Sequence, residues 1–149
     1  MSEYTYSADK FVFRVRKDLL YSSDDVWVRP EPDGAMRIGL TDFAQRRSGD
    51  VVFAEACPAG TRVERGGLLG SYETIKVVQD ILSPVAGTVV DVNPLLDSRP
   101  EVINSDPYGV GWISIIRPEP GIGRLLSAGE YFEQMKAKVE NELKKIKGL

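Results

Sequence analysis

The residues of this chain that could do chemistry are few, and the missing types narrow the choice as much as those present. There is no histidine, so no Ser-His or Cys-His nucleophile pair and no His-bearing metal site can be built. One cysteine, Cys57, excludes an internal disulfide and any Cys-x-x-Cys redox or zinc motif. Carboxylates, lysines and tyrosines remain. Paired acids such as Asp24/Asp25 or Glu55/Asp80 are the raw material of acid–base hydrolysis, but solvated strand ends and turns explain them more simply.

Lys76 is the exception worth following. It stands in "SYETIKVVQDILSPVAG", Ser71 to Gly87, inside an apolar and β-branched run. Such a run folds as two strands, "LLGSYET" and "VVQDIL", facing each other across Ile75-Lys76. A charge at a hairpin tip is common and by itself means only solubility. Here the bulky Ile75 precedes the lysine and Val77 follows, with no glycine at the tip, so the amine is held rigidly. Nothing adjacent in sequence would activate that amine as a nucleophile. A rigid tip with one long amine therefore suits covalent attachment of a carrier arm better than catalysis.

The elements that must hold this tip are short strands broken by glycine and proline. "DVWVRP" (25–30) and "AMRIGL" (35–40) flank the turn "EPDG". Thr41 can N-cap a short helix that Gly49 ends. "VVFAEA" (51–56), "TVVDV" (88–92) and "WISIIR" (112–117) read as further strands, and Asn93-Pro94 opens another short helix. This pattern predicts a mainly β fold, a flattened antiparallel barrel or hybrid sandwich with short helices. Trp27 and Trp112 are expected to pack in it, with Tyr108 in a turn and Cys57 at a strand edge. Ser127 with Glu130 forms a capping box for a C-terminal amphipathic helix whose stripe is Phe132, Met135, Val139, Leu143 and Ile146. Its basic stretch, Lys136 to Lys147, is interleaved with glutamates and reads as a solvated face, with Glu140–Lys144 a favourable pair and Gly148 ending the helix.

A net charge of −3 argues against a nucleic-acid partner. With no long apolar run and no basic-then-apolar leader in "MSEYTYSADK", the expectation is a cytoplasmic protein without membrane contact, and a monomer.

The ordered set "VWV", "RIGLTDFAQRRSGDVVFAE", "GSYETIK", "SPVAGTVVDVN" and "VINSDPYGVGWI" resembles the H-protein family, the lipoyl carriers of the glycine cleavage system, over roughly residues 23–117. The resemblance implies a biotinyl/lipoyl-like fold. It divides the chain into an N-terminal extension with an edge strand (1–22), a lipoyl-carrier β domain (23–126) and a C-terminal helix packed on it (127–149). It implies lipoate joined by an amide to Lys76, with Glu73, Ile75 and Val77 forming the recognition context for attachment. Biotin carriers share the architecture but flank their lysine with methionines. The implied chain is a carrier and not a catalyst. Its partners would be a lipoate-protein ligase or lipoyl transferase, dihydrolipoyl dehydrogenase and the enzymes that load and unload the arm.

The family pattern is broken at the cleft. Where H proteins have Ser-His-Glu-Trp, this chain has Asp24, Asp25, Val26 and Trp27, so the acid before the tryptophan becomes Val26. A histidine position becomes Arg47, while the acid after the lysine is kept as Asp80. Asp24, Val26, Arg47 and Asp80 are thus the expected cleft residues. Losing an acid and gaining a guanidinium disfavours an ammonium cargo. The expectation is therefore a sulfur cargo, as in H-protein-like lipoate-binding proteins of heterodisulfide-reductase-like sulfur oxidation, whose complex would then be the partner. The alternative is a glycine cleavage H protein carrying aminomethyl groups, and a second alternative is an unmodified interaction module.

Overall fold

The computed structural model describes residues 2–147, with side chains described through residue 145. In chain order the elements are β1 (Glu3–Ala8), β2 (Phe11–Arg16), β3 (Leu20–Tyr21), β4 (Val26–Pro30), β5 (Met36–Leu40), α1 (Asp42–Ser48), β6 (Val51–Ala56) and β7 (Arg62–Val63). They continue with β8 (Leu68–Thr74), β9 (Val78–Leu82), β10 (Gly87–Val92), α2 (Leu95–Ser98), α3 (Val102–Ser105), β11 (Ser114–Pro118) and α4 (Ala128–Lys147). Every strand pairing is antiparallel. A six-stranded sheet runs β3-β4-β5-β11-β10-β7, and a three-stranded sheet runs β6-β8-β9. The mainly β sandwich read from the sequence is the fold observed.

Strand β4 shows how two layers are built on one sheet. Successive side chains of a strand point to opposite faces, and here both faces are covered: Val26, Trp27 and Val28 are all fully buried. Val26 and Val28 enter the core with Ile38, Leu69, Tyr72, Ile81, Val89 and Ile116, from both sheets. Trp27 points the other way, into a second core with Phe13, Val15, Phe43, Tyr131, Met135 and Val139. Its indole N–H donates to the Pro107 carbonyl at 2.9 Å. Gly39, paired with Trp27 across β4–β5, leaves room for the ring: a Cβ there would stand 2.3 Å from it.

The second core exists because the N-terminal segment is more than an edge strand. Residues of β1 and β2 pair as a separate two-stranded sheet from Glu3↔Arg16 to Ala8↔Phe11, turning at Asp9 with φ 55°. The alternation Tyr4, Tyr6, Ala8 and Phe13, Val15 lays one face of this hairpin against α1 and α4. Of this segment, β3 (residues 20–21) alone joins the large sheet, at one of its two edges.

Helix α4 starts as its sequence requires: Ser127 N–H donates to the Glu130 carboxylate at 2.9 Å, and Glu130 N–H to Ser127 Oγ at 3.2 Å. Its buried stripe is Ala128, Tyr131, Met135 and Val139, with Phe132 and Leu143 half-buried beside it. The expected stripe therefore turns by one residue, from Phe132 to Tyr131, because the tyrosine hydroxyl finds buried partners that a phenylalanine could not use. The Ile146 side chain and Gly148 lie outside the described residues.

Candidate functional site

The β8–β9 hairpin turns through three residues, Ile75, Lys76 and Val77, one more than expected, because Val77 belongs to the turn. Thr74 makes that turn rigid. Its N–H donates to the Val77 carbonyl at 2.9 Å, and its buried Oγ1 accepts from the N–H groups of Lys76 (3.3 Å) and Val77 (3.2 Å). Such local side-chain bonds give tip backbone groups partners that the strand ladder cannot supply. Ile75 is 94% exposed at the apex and Lys76 is exposed beside it.

The floor under Lys76 is the corner between α1 and β6. Gly49 ends α1 at φ 91°, and a Cβ there would stand 3.7 Å from Lys76 Cε. Asn104 of α3 pins the corner: its Oδ1 accepts from Val51 N–H at 2.8 Å, and its Nδ2 donates to the Gly49 carbonyl at 2.9 Å and to Gln45 Oε1 at 3.0 Å. No local signal marks Asn104 for this role, since its partners lie more than 50 residues away.

A cavity of about 240 Å³ opens beside Lys76, lined by Phe11, Phe13, Phe43, Arg46, Arg47, Lys76, Val139, Glu142 and Leu143. Its walls are largely apolar, and both guanidiniums are already paired. Arg46 Nε lies 3.4 Å from Asp42 Oδ2. Arg47 Nη1 lies 3.4 Å from Asp25 Oδ2, with its guanidinium 4.9 Å from the Phe43 ring centroid. Glu142 is the only carboxylate among the lining residues.

Asp25 is the hub behind this wall. It is buried, with φ 64°. Its Oδ1 accepts from Tyr131 OH at 2.8 Å and from Lys138 Nζ at 2.9 Å. Tyr131 in turn shares a 2.8 Å bond with Thr41 Oγ1 and stacks on Tyr21 with centroids 4.6 Å apart. Burial, then the charge of Asp25, push the Tyr131 hydroxyl well above its usual pKa. Near the Lys76 end, burial also raises that of Tyr72, whose hydroxyl bonds to Ser48 Oγ at 2.8 Å. Lys138 thus departs from the solvated face expected of Lys136 to Lys147.

The residues expected at the cleft separate in space. Arg47 lines the cavity. Val26 does not: it is fully buried in the main core. Asp24 is exposed, and its N–H is turned to Ser22 Oγ at 3.2 Å. Asp80 is exposed on β9 opposite Ser71 and does not line the cavity. Glu73 is exposed on β8, in register between Phe53 and Val78. The carboxylate pairs do not converge either. Asp25 is enclosed by its partners while Asp24 faces outward. Glu55 and Asp80 lie two strands apart across Ser71, about 10 Å from one another.

Cys57 lies at the opposite end of β6 from Lys76, about 20 Å away by strand rise. Its thiol is directed at the Leu68 carbonyl, 3.5 Å off. Tyr108 packs as expected of a turn residue, donating to the Arg14 carbonyl at 2.6 Å, and does not line the cavity. Among the described residues no group of three acids or cysteines is placed to hold a metal. Nor is any helix among the described residues long and apolar enough to cross a membrane.

An exposed amine on a braced tip, beside a largely apolar cavity that it helps to line, has the geometry to carry a covalent arm. The family model for the glycine cleavage H-protein matches residues 19–138. A glycine cleavage system H protein of Listeria innocua is 46% identical over 117 residues, covering 77% of this chain and 93% of the relative. A probable glycine cleavage system H protein of Aeropyrum pernix is 43% identical over 130 residues, 86% of this chain and 90% of the relative. The crystal structure of a glycine cleavage system H protein from Mycobacterium marinum superposes with a TM-score of 0.74 at 35% identity, covering 80% of this chain and 98% of that one. The chain belongs to the glycine cleavage H-protein family.

Proposed function

We propose that the protein is a lipoyl carrier of glycine cleavage, with lipoate attached through an amide to Lys76 and aminomethyl as its cargo. The observation that carries this is the placement of one exposed amine on the Thr74-braced tip, beside the cavity that Lys76 helps to line. When attached, lipoate supplies a dithiolane that cycles between disulfide and dithiol and accepts the transferred group. The protein supplies attachment, reach and a place to rest, and is itself no catalyst. Its partners are a lipoate-protein ligase or lipoyl transferase, the decarboxylase and aminomethyltransferase of glycine cleavage, and dihydrolipoyl dehydrogenase.

The reading of a sulfur cargo loses its physical support. It rested on the acid lost at Val26 and the guanidinium gained at Arg47. Val26 lies in the core, and Arg47 is neutralised by Asp25. Glu142, contributed by α4, offers the cavity a carboxylate for an ammonium group, which the sequence pattern around Trp27 did not reveal. The relatives named above are glycine cleavage proteins, which favours the same cargo.

Intact mass after incubation with a lipoate-protein ligase tests attachment. One lipoyl addition is expected, and none on Lys76→Arg; an addition that survives the substitution overturns the assignment. Reconstitution with the glycine cleavage enzymes tests the cargo. A lipoylated protein that fails to support glycine decarboxylation would return the choice to another cargo.

A further inference from the structure

The family model begins at residue 19, so the β1–β2 hairpin lies outside the residues it matches. The two long sides of this hairpin differ. On the β2 side, Arg14 N–H donates to Asp42 Oδ2 at 2.9 Å, and the Arg14 carbonyl accepts from Tyr108 OH at 2.6 Å. The Arg16 carbonyl accepts from Tyr21 OH at 2.7 Å. Those groups point away from β1. In an antiparallel ladder the residues opposite them, Thr5 and Glu3, then turn their own N–H and C=O groups away from β2, and so does Ser7 opposite Val12. Among the described residues no hydrogen-bonding group meets this outer side of β1.

A free strand edge is a pairing template unless it is short, charged or covered. The other edges of this fold are guarded in those ways. Strands β3 and β7 have two residues each, β6 lies against α2, and β9 carries Asp80 at its centre. Strand β1, "EYTYSA", has six residues, and its one charge is Glu3 at the start.

We infer that β1 pairs antiparallel with β1 of a second copy of this chain, across a two-fold axis at Thr5, so that two hairpins become one four-stranded sheet. The register follows from the chain. Setting Thr5 opposite Thr5 places Glu3 opposite Ser7 at both ends. It is the two-fold register in which all three outward residues find strand partners, and it opposes no like charges. On the side facing α4, Tyr4 meets Tyr6 of the second copy in a non-hydrogen-bonded pair, where side chains stand closest. Tyr4 is half-buried and stacks on the half-buried Phe132 with centroids 5.0 Å apart, so the second tyrosine covers a surface that one copy leaves partly open. Phe11, beside the hairpin turn, lines the cavity next to Lys76, and the two turns lie at opposite ends of the joined sheet. The result is a two-armed particle whose Lys76 tips stand apart. This pairing replaces the monomer expected from the sequence and does not depend on what Lys76 carries.

Sedimentation equilibrium of the full chain tests it. Between about 1 μM and about 1 mM, the range of a weak interface, the average mass is expected to climb from 16.5 kDa towards twice that value. Thr5→Lys opposes two ammonium groups at the axis, and Thr5→Pro removes the outward N–H while the β1–β2 bonds remain. Both are expected to keep the single-chain mass throughout, with the urea midpoint of wild type at the lowest concentration. A wild type that keeps the single-chain mass at every concentration overturns the proposal, as does a Thr5→Lys chain that still doubles. Cross-linking reads the register directly, in a Cys57→Ser background that leaves one thiol per chain. Two thiols introduced by Thr5→Cys face each other at about 5.5 Å between Cα atoms, which suits a disulfide. With oxidised glutathione they are expected to give a linked dimer, the two thiol hydrogens and their electrons leaving as two reduced glutathiones. Ser7→Cys, which faces Glu3, is expected to stay unlinked. A linked dimer from Ser7→Cys and none from Thr5→Cys overturns the pairing.

Discussion

Asp25 and Arg47 form an ion pair, Oδ2 to Nη1 at 3.4 Å, whose guanidinium lines the cavity beside Lys76 while its carboxylate is buried behind it. Through Tyr131 and Lys138 the same carboxylate holds α4 against the β domain. One side chain thus ties the cavity wall to the helix that completes it.

Asp25→Asn removes that tie at little backbone cost, since asparagine also tolerates positive φ. Arg47 and Lys138 then lose their charged partner, and only a neutral oxygen remains for Tyr131. Breaking a buried pair costs about 3–5 kcal/mol, and both cations here are about a third exposed. A loss of about 1–3 kcal/mol is therefore expected. Urea unfolding measures it as a lower midpoint at unchanged slope. A midpoint equal to wild type would mean that the pair contributes nothing net.

Thr74→Val keeps the shape of a buried side chain but removes the acceptor for Lys76 N–H and Val77 N–H. The turn groups then face water, so the stability cost should stay near 1 kcal/mol. Presentation of Lys76 should suffer more. Faster amide hydrogen exchange at residues 75–77 and slower lipoylation by a ligase are the expected results. Unchanged exchange would show that the tip is held by the strand ladder alone.

Alkaline pH should unfold this protein through its tyrosines. Burial raises the hydroxyls of Tyr21, Tyr72, Tyr108 and Tyr131 above their usual pKa of 10. A raised folded pKa means that the unfolded chain releases the proton first. Stability is then full below the unfolded value of about 10 and is lost as pH climbs from there through the folded values. Urea midpoints should be flat from pH 7 to about 9.5 and fall steeply beyond. Tyrosinate absorbance from these residues should appear together with unfolding. Ionisation in the folded state, ahead of unfolding, would contradict the burial argument.

What sequence reasoning can reach here follows the range of the interactions involved. The Lys76 tip and the Ser127/Glu130 cap are local patterns, and each is realised within a few residues. The cleft is not local. Asp25 meets Tyr131, Lys138 and Arg47 across separations of up to 113 residues. The strand alternation at Trp27 fixes which residues face opposite ways, but cannot say that both faces are covered. Val26 looked like a cleft residue because it stands where H proteins carry an acid, although it is core, and Lys138 looked like solvated surface although it reaches a buried acid. The β1–β2 hairpin has short alternation in "EYTYSA" and "FVFRVR", a signal that could have identified it.

Glu142 gives the most direct test of cargo. It is the only carboxylate among the residues lining the cavity, and it sits in the half-exposed last part of α4. If the loaded arm brings an ammonium group into that cavity, Glu142→Gln removes its nearest opposite charge while keeping size and helix propensity. At a half-exposed site such a pair contributes about 0.2–1 kcal/mol, so the loaded form should weaken by about 1.4- to 5-fold, and less as salt rises. The measurement is the steady-state fraction of aminomethyl-loaded arm by intact mass, at low and high salt, for wild type and variant. Attachment of lipoate itself should be unaffected, because Glu142 is remote in sequence from the tip that a ligase must recognise. A variant that loads as fully as wild type at low salt would show that the ammonium does not meet Glu142. A variant that loads better would point to a cargo of the opposite charge.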